Sequence, residues 1–160
     1  MQYLKRNIIR GAIIYPAGDT IAALLLDEFM WTRMLGIMLV GATIYAFEIP
    51  NYFAWIERKT KNLKGFKHTF LKTILAIIYF NPLWIARHLL FIKIFSFQFD
   101  KIGWDMLSVA TMSFLVNIPI SFIANYIIQN VIKLEWRFLA SAIFSALMAI
   151  YYAMSYAIFG

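Results

Sequence analysis

Apolar residues run through this chain in long stretches, and charged residues collect in short clusters between them. A helix that crosses a bilayer needs roughly 20 consecutive apolar residues. Five stretches approach that length, at about 8–30, 34–56, 70–92, 106–131 and 138–159. The third stays apolar as far as Phe99, interrupted by Arg87, His88 and Lys93. No two-residue alternation marks barrel strands, and no repeat or low-complexity tract is present. The pattern predicts an all-α fold, a polytopic transmembrane bundle of four to five helices forming a single domain over 1–160. Four spans would result if one stretch lay only partly in the bilayer.

Composition agrees with the pattern. Of the 160 residues, 62% are hydrophobic and 14% charged, with a mean hydropathy of +0.71. A soluble domain is about 45–50% apolar and about 25% charged, so a water-soluble fold of this length would expose too much apolar surface. There are no cysteines, which excludes disulfides, thiol catalysis and Cys-based metal sites. Lys5, Arg6 and Arg10 before an apolar run resemble the start of a signal peptide. Gly18 and Asp19 interrupt that run and no small-residue cleavage pattern follows, so it is expected to be a retained first helix.

Charge sets the expected topology. The 57–72 loop carries Arg58, Lys59, Lys61, Lys64, Lys67 and Lys72 against Glu57 alone. The positive-inside rule places it, and with it the N-terminus, on the cytoplasmic or matrix side. Asp27 and Glu28, then Asp100 and Asp105, fall on the opposite side, and Lys133 and Arg137 return to the first. The net charge of +7 sits mainly in the one basic loop, so anionic lipid headgroups, not nucleic acid, are its expected partners. Trp31, Trp55, Trp104 and Trp136 fall near the expected interfaces, as an aromatic belt would place them. A bacterial inner membrane is the expected location, with a mitochondrial or peroxisomal membrane as the alternative. Richness in Ile, Lys, Phe and Asn fits an AT-rich genome and leans towards a bacterium.

Polar groups at membrane depth cost several kcal/mol and usually face the protein interior or a water-filled cavity. Asp19 lies roughly 16 Å into the first span at 1.5 Å per residue, and Asn81 and Asn117 fall near the same level. These three either line a passage or bond one another and lock the bundle. Glu48 lies nearer the basic side, with Asn51 on the same face and Pro50 between them freeing a carbonyl one turn back. Arg10, entering at nearly the depth of Glu48, is the expected partner of Glu48. Arg87 is expected to reach towards headgroups at the far end of the third span, or to pair with an acid. Beside it His88, a lone histidine, is more plausibly structural than a proton relay. Ser141, Ser145, Ala149, Ala153 and Ala157 form a small-residue ridge suited to close packing in the bundle or to a homo-oligomer through 138–159. Motifs for zinc proteases, nucleophile elbows, P-loops and dinucleotide sites are lacking. No enzyme activity, metal or cofactor is expected.

Several short motifs, in order, resemble a known family. They are Gly18–Asp19, Arg33, Gly41, Tyr52–Phe53, Glu57–Arg58, Lys72, Phe80 with Pro82–Leu83, Pro119, Ala124–Asn125–Tyr126 and Arg137. Together they resemble the small four-helix family of peroxisomal and mitochondrial inner-membrane proteins, one of which is linked to mitochondrial DNA maintenance. The resemblance implies a small channel or transporter for metabolites, and adds Asn125 to the pore-lining residues expected. Departures are Ala46–Phe47 where the family has Gly-Pro, Ala76–Ile77 where it has Asp-Gln, and absent C-terminal tryptophans; they bear on selectivity or conduction. Asp19–Thr20–Ile21–Ala22 and Thr32–Arg33–Met34–Leu35 also resemble motifs of bacterial L-alanine exporters, at a shorter spacing and with no counterpart of the fifth span. Amino-acid export is therefore the alternative solute transport. A channel or exporter needs a polar cavity reaching a surface. A structural or assembly subunit would have the same residues paired and dry. A lipid-acting enzyme would need a polar cluster open sideways.

Overall fold

The two acidic clusters end helices. In the computed structural model, which describes residues 3–159 and the side chains of 3–151, α1 (Lys5–Leu25) stops five residues before the end of its apolar stretch. The chain turns through Asp27 at φ 55°, while the N–H groups of Glu28 and Asp27 close on the carbonyls of Ala23 and Leu24. This is the double-bonded C-terminal cap that satisfies a helix's last carbonyls. Phe97, also at φ 55°, ends α5 (Pro82–Phe95) the same way, with Gln98 and Phe97 bonding back to Lys93 and Ile94.

Five helical units are each long and apolar enough to cross a membrane, and short turns lay them antiparallel in sequence. The first is α1. The second is α2 (Trp31–Val40), a π-helical turn over Gly41–Tyr45, and α3 (Ala46–Thr60). The third is α4 (Gly65–Tyr79) followed by α5. The fourth is α6 (Asp105–Asn130) and the fifth α7 (Leu134–Phe159). One end of the bundle, the basic end, gathers the start of α1, the α3–α4 turn and the α6–α7 turn. The expected 57–72 loop is only four residues, 61–64, because its two flanks belong to α3 and α4. The opposite, acidic end gathers the other two connections. α1 packs against α7 and the second span, and α6 packs against α4, α5 and α7.

The four prolines, Pro16, Pro50, Pro82 and Pro119, fall one to each of the first four spans. A proline gives no N–H to the carbonyl one turn back. The third span breaks outright at Phe80–Asn81. There Asn81 caps α5 by accepting from the Trp84 N–H at 3.1 Å, and Pro82 occupies the first turn, where its missing N–H costs nothing. In the second span α3 runs unbroken through Pro50, and the departure from α geometry lies earlier, in the π turn over Gly41–Tyr45.

Small residues set the helix spacing. A Cβ on Gly11 would overlap the Gly41 carbonyl, and one on Gly41 would overlap the Gly11 carbonyl. The two backbones therefore touch. A Cβ on Gly18 would lie 2.5 Å from Ala146 Cα on α7. Ser141 and Ala149 of the small-residue ridge are buried, so this part of the ridge serves packing inside the chain. Ala153 and Ala157 lie outside the residues whose side chains are described.

The side chains are sorted as lipid demands. Large apolar groups such as Ile13, Leu39, Leu83, Leu115 and Ile123 face outwards, while Asp19, Arg33, His88, Asn117, Asn125 and Gln129 are buried. Trp31, Trp104 and Trp136 are exposed at helix ends. The fifth tryptophan, Trp84, is interior.

Candidate functional site

The inward face of α1 orders the interior. From the basic end it presents Asn7, Gly11, Tyr15 and Asp19, spaced one turn apart and all buried. Each meets a different kind of neighbour.

Asn7 lines a cavity of about 620 Å³ at the basic end. Its other walls are α3, through Pro50, Asn51, Ala54 and Arg58, and the start of α7, through Lys133, Leu134, Glu135 and Phe138. Three cations, Arg6, Arg58 and Lys133, face one carboxylate there, Glu135. Next along α1, the Gly11–Gly41 contact brings backbone against backbone. Beyond it lies an aromatic layer. Tyr15 and Tyr45 rings are 4.8 Å apart, and Trp84 stacks on His88 at 5.8 Å with planes 7° apart. The Tyr45 hydroxyl shares a 3.0 Å hydrogen bond with His88 Nδ1. Between Tyr15, Trp84, His88 and Ser145 a gap of about 10 Å³ remains, room for at most one water. The last layer is an ion pair: Arg33 donates from Nε to Asp19 Oδ2 at 2.8 Å and from Nη2 to Oδ1 at 2.7 Å. Exposures of 1% for Asp19 and 3% for Arg33 put the pair out of contact with solvent. One end of the axis therefore opens into the cavity of about 620 Å³. At the other the Asp19–Arg33 pair is closed to solvent, and a surface pocket of about 420 Å³ bordered by Glu28, Lys93, Asp100 and Asp105 lies at that end.

A second ion pair sits at the break in the third span. Arg87 bonds Glu48 through Nη1 to Oε1 at 3.0 Å and Nη2 to Oε2 at 2.7 Å. Tyr79 donates to the same Oε2 at 3.0 Å. This corrects the expected Glu48–Arg10 pair and the outward reach of Arg87. Side chains on a helix lean towards its N-terminus, and α5 begins at the break, so Arg87 leans back to Glu48. Arg10 faces α7 instead. Its guanidinium lies 4.6 Å from the Trp136 ring centre and donates to the Glu135 carbonyl. A groove of about 490 Å³ opens on the bundle's flank here, bordered by Glu48, Arg87, Tyr79, Asn81 and the exposed Ile78 and Leu83.

The third polar feature runs along α6. Ser113, Asn117, Ser121, Asn125 and Gln129 recur every four residues, which aligns them in one row. Asn117 Nδ2 donates to Ser121 Oγ, and Asn125 Nδ2 to the Ser121 carbonyl, both at 2.9 Å. Ser113 Oγ, Asn117 Oδ1, Asn125 Oδ1 and Gln129 Nε2 are buried with no hydrogen-bond partner among the described residues. At the basic end the row meets a charged knot. Glu57 binds Lys72 at 2.9 Å and Arg137 at 3.1 Å, tying α3 to α4 and α7, and Arg137 Nη1 reaches Gln129 Oε1 at 3.5 Å.

The expected residues thus divide among four places. Asn51 lines the basic-end cavity, where Pro50 also lies. Glu48, Arg87 and Asn81 meet at the flank groove. Asn117 and Asn125 belong to the α6 row, and Asp19 to the buried lock. Asp19, Asn81 and Asn117 do not share a cavity among the described residues. Sequence reasoning missed Arg33 as the Asp19 partner, although an arginine three residues into an apolar helix signals a buried role. It also missed Ser113, Ser121 and Gln129, whose four-residue spacing was the available signal. Comparisons with family models, with curated proteins and with solved structures find no match for this chain.

Proposed function

We propose that the protein moves a small solute across a membrane and stands here in a state open at its basic end and closed at its acidic end. The carrying observation is the asymmetry of the axis along α1. A cavity of about 620 Å³ opens at one end, while at the other a surface pocket of about 420 Å³ is cut off from the axis by the buried Asp19–Arg33 pair and the packed layers behind it. Solute sites are typically about 300–1,000 Å³, so the cavity is of fitting size. Broken or irregular helices at membrane depth are tolerated where they line cavities or meet protein. The π turn and the Asn81 break are the two places where such spans can flex. By the positive-inside rule, the basic end faces the cytoplasm or matrix, and a bacterial inner membrane is the location we favour. On this reading the protein is a transporter and not an enzyme, with Asp19 as part of a gate.

Two observations support the metabolite-channel resemblance. Asp19 and Arg33 bind each other, and Glu57, Lys72 and Arg137 form one knot, so residues quoted for it cooperate in space. L-alanine or another amino acid is the alternative solute.

A non-transporting assembly subunit is the second reading. It is favoured by the complete pairing of Asp19 and by the capping role of Asn81. Solute release from proteoliposomes separates the two. Vesicles loaded with solutes of graded size and charge, L-alanine included, are expected to release some and retain others. Asp19→Asn, which loosens the closing pair, is expected to raise the rate. Release no faster than from empty liposomes, by protein shown to be folded, would leave the assembly reading standing.

A further inference from the structure

We propose that the basic-end cavity is a binding site for a small anion bearing a carboxylate or phosphate group. The inference deepens the transport reading by naming the class of solute at the entrance, and the binding itself is measurable without transport.

The site is assembled from separate parts of the chain. Arg6 comes from the first turn of α1, Arg58 from the last turns of α3, and Lys133 from the α6–α7 turn. None of the three makes an ion pair among the described residues, although Glu135 lines the same cavity. All three are exposed at the basic end, and what sets them apart from the other exposed cations there is that they border one cavity. Three cations left converging on one space generate a positive potential that a low-dielectric wall strengthens.

Asn7 gives an independent indication. Its side chain is 4% exposed, lines the cavity and makes no hydrogen bond among the described residues. Its amide keeps contact with the cavity space, unlike the sealed amides of α6, and a ligand oxygen there would accept from its N–H₂. The first turn of α7 adds N–H groups, which as a helix start attract negative charge. Leu4, Pro50, Ala54 and Phe138 supply an apolar floor. The recognised group is thus a compact anion on a small, partly apolar body. A free solute and a lipid headgroup phosphate both carry that chemistry.

The chain has no cysteine, so a single reporter thiol can be placed at Ala54→Cys on the cavity wall. The measurement is its rate of labelling by a membrane-impermeant maleimide in nanodiscs of phosphatidylcholine, with acetate, inorganic phosphate or glycerol added. Acetate or phosphate is expected to slow labelling and glycerol to leave it unchanged. Arg58→Gln with Lys133→Gln is expected to raise the protecting concentration about tenfold or more, since charge-assisted bonds contribute about 1.5–3 kcal/mol. Glu135→Gln is expected to lower it, a gain that misfolding cannot produce. Protection already present in phosphatidylglycerol nanodiscs without added anion, and abolished in the double variant, would assign the site to a lipid phosphate. Brisk labelling unaffected by either anion or by phosphatidylglycerol overturns the proposal, as does weaker protection in Glu135→Gln. Release of neutral solutes without anion protection would remove this inference and leave transport. Protection without any release would do the reverse.

Discussion

Arg33 grips Asp19 with two parallel bonds of 2.7 and 2.8 Å and so fastens the start of the second span to the first. Glu28, nearer the surface, stands 3.6 Å from Arg33 Nη1 and adds to the attraction. Removing one member of a buried pair leaves the other charged and unpartnered, at a cost of about 3–5 kcal/mol, whereas replacing both with apolar groups is often neutral. Arg33→Met and Asp19→Leu are each expected to lower stability by that amount, and the double variant to recover most of it. Denaturation in mixed detergent micelles measures this. Equal losses in the double and the worse single variant would show that the pair is not the unit of stability.

The Glu48–Arg87 pair should behave differently. Its side chains are 35% and 33% exposed at the flank groove, which the exposed Ile78 and Leu83 border, so the open side of the pair faces lipid. Tyr79 supplies a third member of the cluster through its hydroxyl. Water-exposed pairs contribute about 0–1 kcal/mol, and a pair beside lipid is screened less, which argues for the top of that range or above it. A double-mutant cycle over Glu48→Gln and Arg87→Gln is expected to give a coupling of at least about 1 kcal/mol. A coupling near zero would mean that both groups are separately solvated.

Gly11 and Gly41 set a limit on how the first two spans can sit. Each would place a methyl group on the other's carbonyl, and backbone cannot step aside as a flexible side chain can. Overpacking typically costs about 1–3 kcal/mol. Gly11→Ala is expected to cost at least this much, and Gly11→Val more. Ala17→Val, on the exposed side of α1, is expected to be nearly silent. The order of stabilities in the same detergent titration checks the close crossing. A silent Gly11→Val would show that α1 and the π turn stand apart.

The spans and their connections were legible, and their number to within one, because lipid imposes length and charge rules that act on single segments. Asp27–Glu28 and residues 61–64 of the basic segment lie where the helices turn. The pairing of buried charges was less legible. Asp19 and Glu48 stood out one at a time, but choosing between Arg10, Arg33 and Arg87 needs helix rotation and tilt, which a linear depth argument lacks. Arg10 matched Glu48 in depth and yet points at α7. The break in the third span was written as Asn81–Pro82, a cap followed by a first-turn proline. Continuous hydropathy across it concealed the signal. The α6 row was missed because Asn117 and Asn125 drew notice as amides, while the serines and Gln129 in the same register were passed over.

That row carries the last prediction. Asn117 makes one hydrogen bond, to Ser121 Oγ, and leaves its Oδ1 buried without a partner among the described residues. Losing a hydrogen bond costs about 1 kcal/mol, while removing an unsatisfied acceptor returns about 1–3 kcal/mol. Asn117→Leu, close in volume, is therefore expected to leave stability within about 1 kcal/mol of the wild type or to raise it. Gln129→Leu works the other way. Its carbonyl oxygen is within reach of Arg137, which Glu57 also holds, so the apolar side chain would strip part of a buried cation's shell. Removing the unpartnered Gln129 Nε2 offsets part of this, so a loss of about 1 kcal/mol is expected there. The detergent titration compares the two directly. If Asn117→Leu proved the more damaging, Oδ1 would have to be bonded in the folded protein, and a water within the α6 row would be the partner to seek.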